Sequence, residues 1–125
     1  MAEMPAISDA EWQVMNVVWD RQPVMAHEII QSLASSNDWS PATIRTFLHR
    51  LVKKGALSHV VDGNRYVYQA AHPRTTLVKR ASKSFLESVF AGDTLPLIAH
   101  FVKSQRLSPE AIRQLRDLLN NKESS

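Results

Sequence analysis

Ser40-Pro41-Ala42-Thr43-Ile44-Arg45-Thr46-Phe47-Leu48-His49-Arg50-Leu51-Val52-Lys53-Lys54-Gly55 is a helix with both of its ends written into the chain. Serine is a strong N-cap, and proline is tolerated at the first helical position because its missing N–H has no partner there. Ile44, Phe47, Leu48 and Leu51 recur at three- and four-residue spacing and form the stripe to be buried. Lys53 and Lys54 suit the negative end of the helix dipole, and Gly55 supplies the left-handed residue that stops it. The period then changes. Leu57 to Val61 is β-prone, Asp62-Gly63-Asn64 signals a turn, and Arg65 to Ala70 alternates with Tyr66 and Tyr68 on one face. A capped helix leads directly into a hairpin.

Two further helices precede this unit. Ser8-Asp9-Ala10-Glu11 has the form of a capping box, and Trp12, Met15, Val18 and Trp19 continue from it as an apolar stripe. Asp20-Arg21-Gln22-Pro23 ends that helix. A second covers Ala26 to Ala34, burying Ile29, Ile30 and Leu33, and Ser35-Ser36-Asn37-Asp38 is a loop. On the other side, His72-Pro73-Arg74 punctuates the chain and marks a domain boundary. Three more helices follow. The first, Thr75 to Phe90, repeats Leu77, Ala81, Phe85 and Val89; the second runs from Leu95 to Lys103. The third starts at Ser108-Pro109, aligns Ile112, Leu115 and Leu119, and gives way to a polar end from Asn120 to Ser125. The expected fold is mainly α: a winged helix-turn-helix over residues 1–72, with three helices and a β-hairpin wing, then a three-helix region over 73–125.

Composition removes several classes of function. The 125 residues hold no cysteine, so disulfides, thiolate metal sites and cysteine nucleophiles are excluded together. At 44% hydrophobic residues the chain can build a core. No stretch approaches the roughly 20 apolar residues of a membrane span, and Met1 to Ala6 does not read as a signal peptide. A soluble cytoplasmic protein is the expectation. His27-Glu28 begins like a metalloprotease helix, but position 31 is glutamine where a second histidine is required. Carboxylates are scattered, with no pair that spacing brings together, so acid–base catalysis has no support. Neither an enzyme nor a metal or other cofactor is expected, and no small-molecule substrate.

The charge is segregated. Residues 1–39 carry Arg21 against six acidic groups, and residues 84–125 balance at five against five. Between them, residues 40–83 hold Arg45, Arg50, Lys53, Lys54, Arg65, Arg74, Lys79, Arg80 and Lys83, opposed by Asp62 alone. A net +8 in 44 residues is the footprint of a polyanion-binding surface. With the apolar stripe of the third helix facing inward, its other face shows Ala42, Thr43, Arg45, Thr46, His49, Arg50 and Lys53. A major groove admits one such helix, and arginine and threonine are suited to reading base edges there. Arg65, at the wing tip, would meet a phosphate or the minor groove. His59 and His72 read as ordinary wing and linker residues, the three tryptophans as packing, and Tyr66 and Tyr68 as packing of the wing on the bundle.

Specific strings add a resemblance. Ile7-Ser8-Asp9-Ala10-Glu11-Trp12-Gln13-Val14-Met15 with Val18-Trp19, Thr43-Ile44-Arg45-Thr46, Leu48, Arg50-Leu51, Lys53-Lys54-Gly55 and Tyr66-Val67-Tyr68 resemble the BlaI/MecI family of penicillinase repressors. Ser84-Phe85-Leu86, Phe90-Ala91-Gly92-Asp93 and Glu110 through Leu119 continue it, so the likeness runs from about Ile7 to Asn120. It implies a homodimer that binds a pseudo-palindromic double-stranded operator, represses a β-lactamase-type resistance operon, and is released when a membrane sensor metalloprotease cuts its dimerisation region. In the best-known members the cut falls between asparagine and phenylalanine. The matching pair here is His100-Phe101, with phenylalanine kept and asparagine replaced. A copper-responsive branch of the family carries paired cysteines near its C-terminus, which this chain lacks.

Dimerisation has independent support. Leu77, Phe85, Val89, Leu97, Phe101, Ile112, Leu115 and Leu119 are candidate interface residues, because so small a unit cannot enclose that many apolar side chains. Two readings of function stay open: an operator-binding repressor, and a winged-helix protein-interaction module whose basic face meets an acidic partner without binding DNA.

Overall fold

The computed structural model describes residues 5–124; Met1 to Met4 and Ser125, at the two ends of the expected regions, lie outside it. Helix α1 (Asp9–Arg21) is followed by strand β1 (Val24–Met25), helix α2 (Ala26–Ala34) and helix α3 (Pro41–Lys54). Strands β2 (Leu57–Asp62) and β3 (Arg65–Ala70) form the hairpin, and helices α4 (Arg74–Phe90), α5 (Thr94–Ser104) and α6 (Pro109–Ser124) complete the chain. The mainly helical, winged-helix architecture read from the sequence is the one found.

The caps act where local chemistry places them. Ser8 Oγ accepts the Glu11 N–H at 3.2 Å, while Glu11 Oε1 accepts the Ser8 N–H at 2.9 Å. Ser40 Oγ accepts the Thr43 N–H at 3.1 Å and starts α3. At its other end Gly55 has φ +84°, the Gly55 N–H reaches the Val52 carbonyl, and the Ala56 N–H reaches that of Leu51. That pair of bonds is a Schellman motif. It drops Ala56 and Leu57 straight into the core, where both are buried, and so fixes the angle at which the wing leaves α3. Gly63, with φ +65°, occupies the first central position of the hairpin turn between the paired Asp62 and Arg65, as a type II′ turn requires.

The three-stranded antiparallel sheet has the order β1-β3-β2. Strand β1 was not anticipated. It is two residues long and follows a helix-breaking stretch, yet Val24 pairs with Tyr68 and Met25 with Val67. The pairing docks the wing against the start of α2.

The core joins Val14, Met15 and Val18 of α1, Ile29 and Leu33 of α2, Ile44, Leu48 and Leu51 of α3, and Val24, Ala56, Leu57 and Tyr68 around the sheet. Trp12, Trp19, Ile30 and Phe47 are only half-buried, at its rim. Trp19 has a reason to stay there, since its indole N–H donates to the His72 carbonyl at 3.0 Å. The ring also carries the Arg74 guanidinium, 5.3 Å above it, and that guanidinium bonds Asp20 at 3.0 Å. Leu77 completes the clamp. It is buried among the N-terminal core residues, which corrects its expected place at a dimer interface: its apolar surface is already covered within its own chain.

Packing divides the chain into two compact units, Met1–Ala81 and Ser82–Ser125. The first two turns of α4 therefore belong with the winged helix, although His72-Pro73 is where the sequence is punctuated. In the second unit Asp93 caps α5 and Ser108 caps α6, and the Phe85 and Phe90 rings stand 5.9 Å apart. Helix α6 runs on through the expected polar end as far as Ser124. No described residue of α5 or α6 is buried.

One buried ion pair joins the ends of two helices. Lys54 Nζ, at the end of α3, lies 2.5 Å from Glu11 Oε1 at the start of α1 and 2.8 Å from the Ala6 carbonyl. Glu11 is 1% exposed, and its Oε2 makes no hydrogen bond among the described residues. Burial pushes its carboxyl up, but Lys54 and the Ser8 bonds outweigh that, and the group sits below its ordinary value of 4.5. A depressed carboxylate contributes stability at pH values above the unfolded value and loses it as pH falls through the folded one. Glu11→Gln is expected to remove part of the fall in melting temperature below about pH 4.5. Lys54→Met, which strands a carboxylate that cannot reach water, is expected to cost about 3 kcal/mol in urea denaturation at pH 7. Glu11→Gln should cost less, because Lys54 retains a path to solvent.

Candidate nucleic-acid interface

The buried stripe of α3 fixes what its other face presents. Because Ile44, Leu48 and Leu51 point into the core, Ala42, Arg45, Thr46, His49, Arg50 and Lys53 are all exposed on the opposite side. Thr43 is half-buried, with Oγ1 3.0 Å from Ser40 Oγ, so it faces back toward the cap. The Thr46 hydroxyl donates to the Ala42 carbonyl at 3.0 Å. Its proton is thereby spent within the helix, leaving the methyl group and the oxygen lone pairs to face outward. Arg45, Arg50 and Lys53 give the exposed set its charge, and no acidic residue interrupts it from Pro41 to Lys54.

Strand β3 sets the wing beside this face. Tyr68 is buried at the base of the hairpin; burial raises its phenol above the usual range, Tyr66 adds to that, and the nearby Arg45 charge opposes it. The Arg45 charge is thus felt at the sheet, while the residue itself stays exposed. Tyr68 packs as expected, whereas Tyr66 remains half exposed. Arg65 is exposed at the hairpin end, its guanidinium donating to Met25 Sδ at 3.6 Å.

The structure redistributes the charge block. Lys54 is tied to Glu11 and Ala6, and Arg74 to Asp20 and Trp19, so two of the nine cations counted along residues 40–83 serve the fold. Of the remaining seven, Arg45, Arg50 and Lys53 are exposed on α3 and Arg65 at the end of the hairpin, while Lys79, Arg80 and Lys83 lie on α4. Sequence reasoning missed both commitments because each joins residues far apart in the chain; the only local hint was the doubled lysine before Gly55. Among the described residues no group of histidines and carboxylates is arranged to hold a metal.

This geometry is that of known repressors. The family model described as penicillinase repressor matches residues 7–121. The chain belongs to the penicillinase repressor family. Within it, the methicillin resistance regulatory protein MecI of Mammaliicoccus sciuri is 37% identical over 116 residues, covering 93% of this chain and 94% of that one. The penicillinase repressor of Bacillus licheniformis is also 37% identical, over 95% of this chain and 93% of its own. Among solved structures, the DNA-binding domain of the repressor BlaI superimposes with a TM-score of 0.55 and 43% identity, covering 60% of this chain and 92% of that one. Monomeric Bacillus licheniformis BlaI in complex with the blaP half-operator gives a TM-score of 0.52 at the same identity and the same coverage.

The division of the cations has a chemical consequence in this family member. Under competitive acetylation read by mass spectrometry, Lys53 should react several-fold faster than its neighbour Lys54. Equal rates would show that the Glu11 pairing does not shield the Lys54 amine.

Proposed function

We propose that the chain is an operator-binding transcriptional repressor that acts as a homodimer on a pseudo-palindromic site. The observation that carries this reading is the basic face of α3, free of acidic residues and followed by a wing, on a fold shared at 43% identity with a repressor solved on its half-operator. In this reading Arg45 and Arg50 reach base edges or phosphates, Ala42, Thr43 and Thr46 offer methyl and hydroxyl groups, and His49, Lys53 and Arg65 hold the backbone. DNA binding belongs to residues 1–72 and dimerisation to 73–125, with Leu77 reassigned to the first. The protein has no catalytic role, and it works in the cytoplasm, where its DNA is. No single described helix is long and apolar enough to cross a membrane.

A second copy of the chain is the natural cover for the C-terminal helices. Val89, Leu95, Leu118 and Leu119 are each more than 60% exposed, and Phe85, Phe101, Ile112 and Leu115 are exposed as well. Leu97 is half-buried. An apolar surface of this extent on 44 residues is costly in water and marks an interface. His100 and Phe101 lie exposed on α5, their rings 5.5 Å apart, in a unit whose helices bury nothing of their own. Where the dimer opens, a helix that buries so little within its own chain can unwind into a protease, and release by a membrane sensor metalloprotease acting there is part of this proposal. Control of a β-lactamase-type operon follows from the same relatives.

Two variants test the two halves. Arg45→Ala is expected to weaken binding to operator DNA by about 1–3 kcal/mol and to random DNA much less, in a gel-shift at fixed salt. Equal losses on both would remove it from base reading. Leu115→Asp should sediment as a monomer and bind the operator more weakly; an unchanged dimer would contradict the interface.

A further inference from the structure

His72-Pro73-Arg74 punctuates the sequence like a linker, yet the structure fastens this corner to the winged helix almost residue by residue. The last residues of α1 and its cap hold alternate positions along it. Gln22 Oε1 accepts the Ala70 N–H at 2.9 Å, the Trp19 indole N–H donates to the His72 carbonyl at 3.0 Å, and Asp20 accepts from the Arg74 guanidinium at 3.0 Å. Between them, the Ala71 N–H turns to the Ala56 carbonyl at 2.9 Å, at the root of the wing. Arg74 also lies over the Trp19 ring, and Leu77, in the first turn of α4, is 3% exposed. From there α4 continues to Phe90 without a glycine or proline, the residues at which helices most often kink.

We propose that this corner is a spacing gauge: Trp19, Asp20 and Gln22 are positioning residues that fix how α4 leaves the winged helix, and through α4 they set which half-site spacing the dimer accepts. This rests on the homodimeric repressor reading above and adds a specificity that needs no contact with a base, because what the corner reads is distance. A pliable linker would let the second winged helix search for its half-site over several spacings. A fastened one does not.

One base pair added between half-sites moves the second by about 3.4 Å and turns it by about 34° around the duplex. A dimer with fastened corners follows only by breaking their ties, so the penalty on a mis-spaced site is limited by the free energy of opening them. The Asp20–Arg74 pair is exposed, at 65% and 47%, and adds little by itself; the part-buried Trp19 bond is the stronger tie. Trp19, Asp20 and Gln22 all stand outside the set of fully buried core residues, so loosening the corner leaves the winged helix folded.

The test follows the full-length protein by fluorescence anisotropy on duplexes built from the half-site that it selects from a random pool. One duplex carries a single half-site, and the others carry an inverted pair whose spacing varies one base pair at a time. Wild type should prefer one spacing. Trp19→Phe keeps the ring under Arg74 and loses the N–H bond, while Asp20→Asn weakens the ion pair without removing a cation that DNA could attract. In the double variant, affinity for the single half-site should stay within about twofold of wild type. Discrimination against mis-spaced pairs should fall about fivefold, as loss of one ordinary hydrogen bond would produce. Discrimination equal to that of wild type, even with all affinities lowered by one common factor, overturns the gauge and leaves the repressor reading intact. So does a wild type that binds every spacing alike. A wild type that selects no half-site, or binds the inverted pair no more tightly than the single site, overturns the homodimeric repressor reading and the gauge together.

Discussion

The arrangement of the DNA-facing elements depends on where Glu11 is held. A single carboxylate oxygen closes the capping box of α1 and receives the ammonium of Lys54 from the end of α3. Placing a carboxylate at 1% exposure costs several kcal/mol unless it is paired and hydrogen-bonded, so the two helix ends cannot drift apart without stranding a charge. Gly55 follows immediately, and its Schellman bonds start the wing from the same point. The ion pair therefore fixes α3 against α1 at the position where the wing departs, and the relation between recognition helix and hairpin is inherited from it.

What the sequence disclosed was whatever its local chemistry decides. Ser8 and Glu11, Ser40 and Pro41, Gly55, and Asp62-Gly63-Asn64 each act on backbone groups within a few residues, so their readings survive in the structure almost to the residue. What it hid lies across the chain. Lys54 pairs with a residue 43 positions away, and Trp19 bonds a carbonyl 53 positions away. Strand β1, two residues long, exists only because β3 has an edge to offer it. In linear sequence Lys54 and Lys53 are the same signal of positive charge; only the fold makes one structural and leaves the other on the surface. The candidate DNA face was legible because the 3.6-residue period of α3 fixes which side chains must point away from Ile44, Leu48 and Leu51. Its boundaries were not, because they are set by tertiary partners. Leu77 shows the same limit: its spacing placed it in the C-terminal stripe, and packing assigned it to the N-terminal core.

The two units solve the problem of apolar surface in opposite ways. The first closes a core on itself, with thirteen hydrophobic residues buried. The second leaves its large apolar side chains open and buries none on α5 or α6. In the proposed homodimer a short helical unit of this kind would be stabilised by association, and its order would be tied to the concentration of its partner. The two regions would then differ in sensitivity: changes in the first would act through folding, and changes in the second through assembly.

That difference would give the proposed release a physical basis that never touches the DNA-binding surface. In a dimer, the second winged helix meets its half-site at a high effective concentration, so the affinity of the pair exceeds that of either half by two or more orders of magnitude. Under the proposed cut, severing α5 would leave the α3 face intact. It would remove the apolar surface proposed to hold the partner, and each monomer would keep half the phosphate contacts and the full cost of binding alone. Because phosphate contacts carry a steep salt dependence, that halving is felt most at physiological ionic strength. His100 and Phe101, on α5, are remote in sequence from every cation of the α3 face, so a cut between them would act through assembly alone.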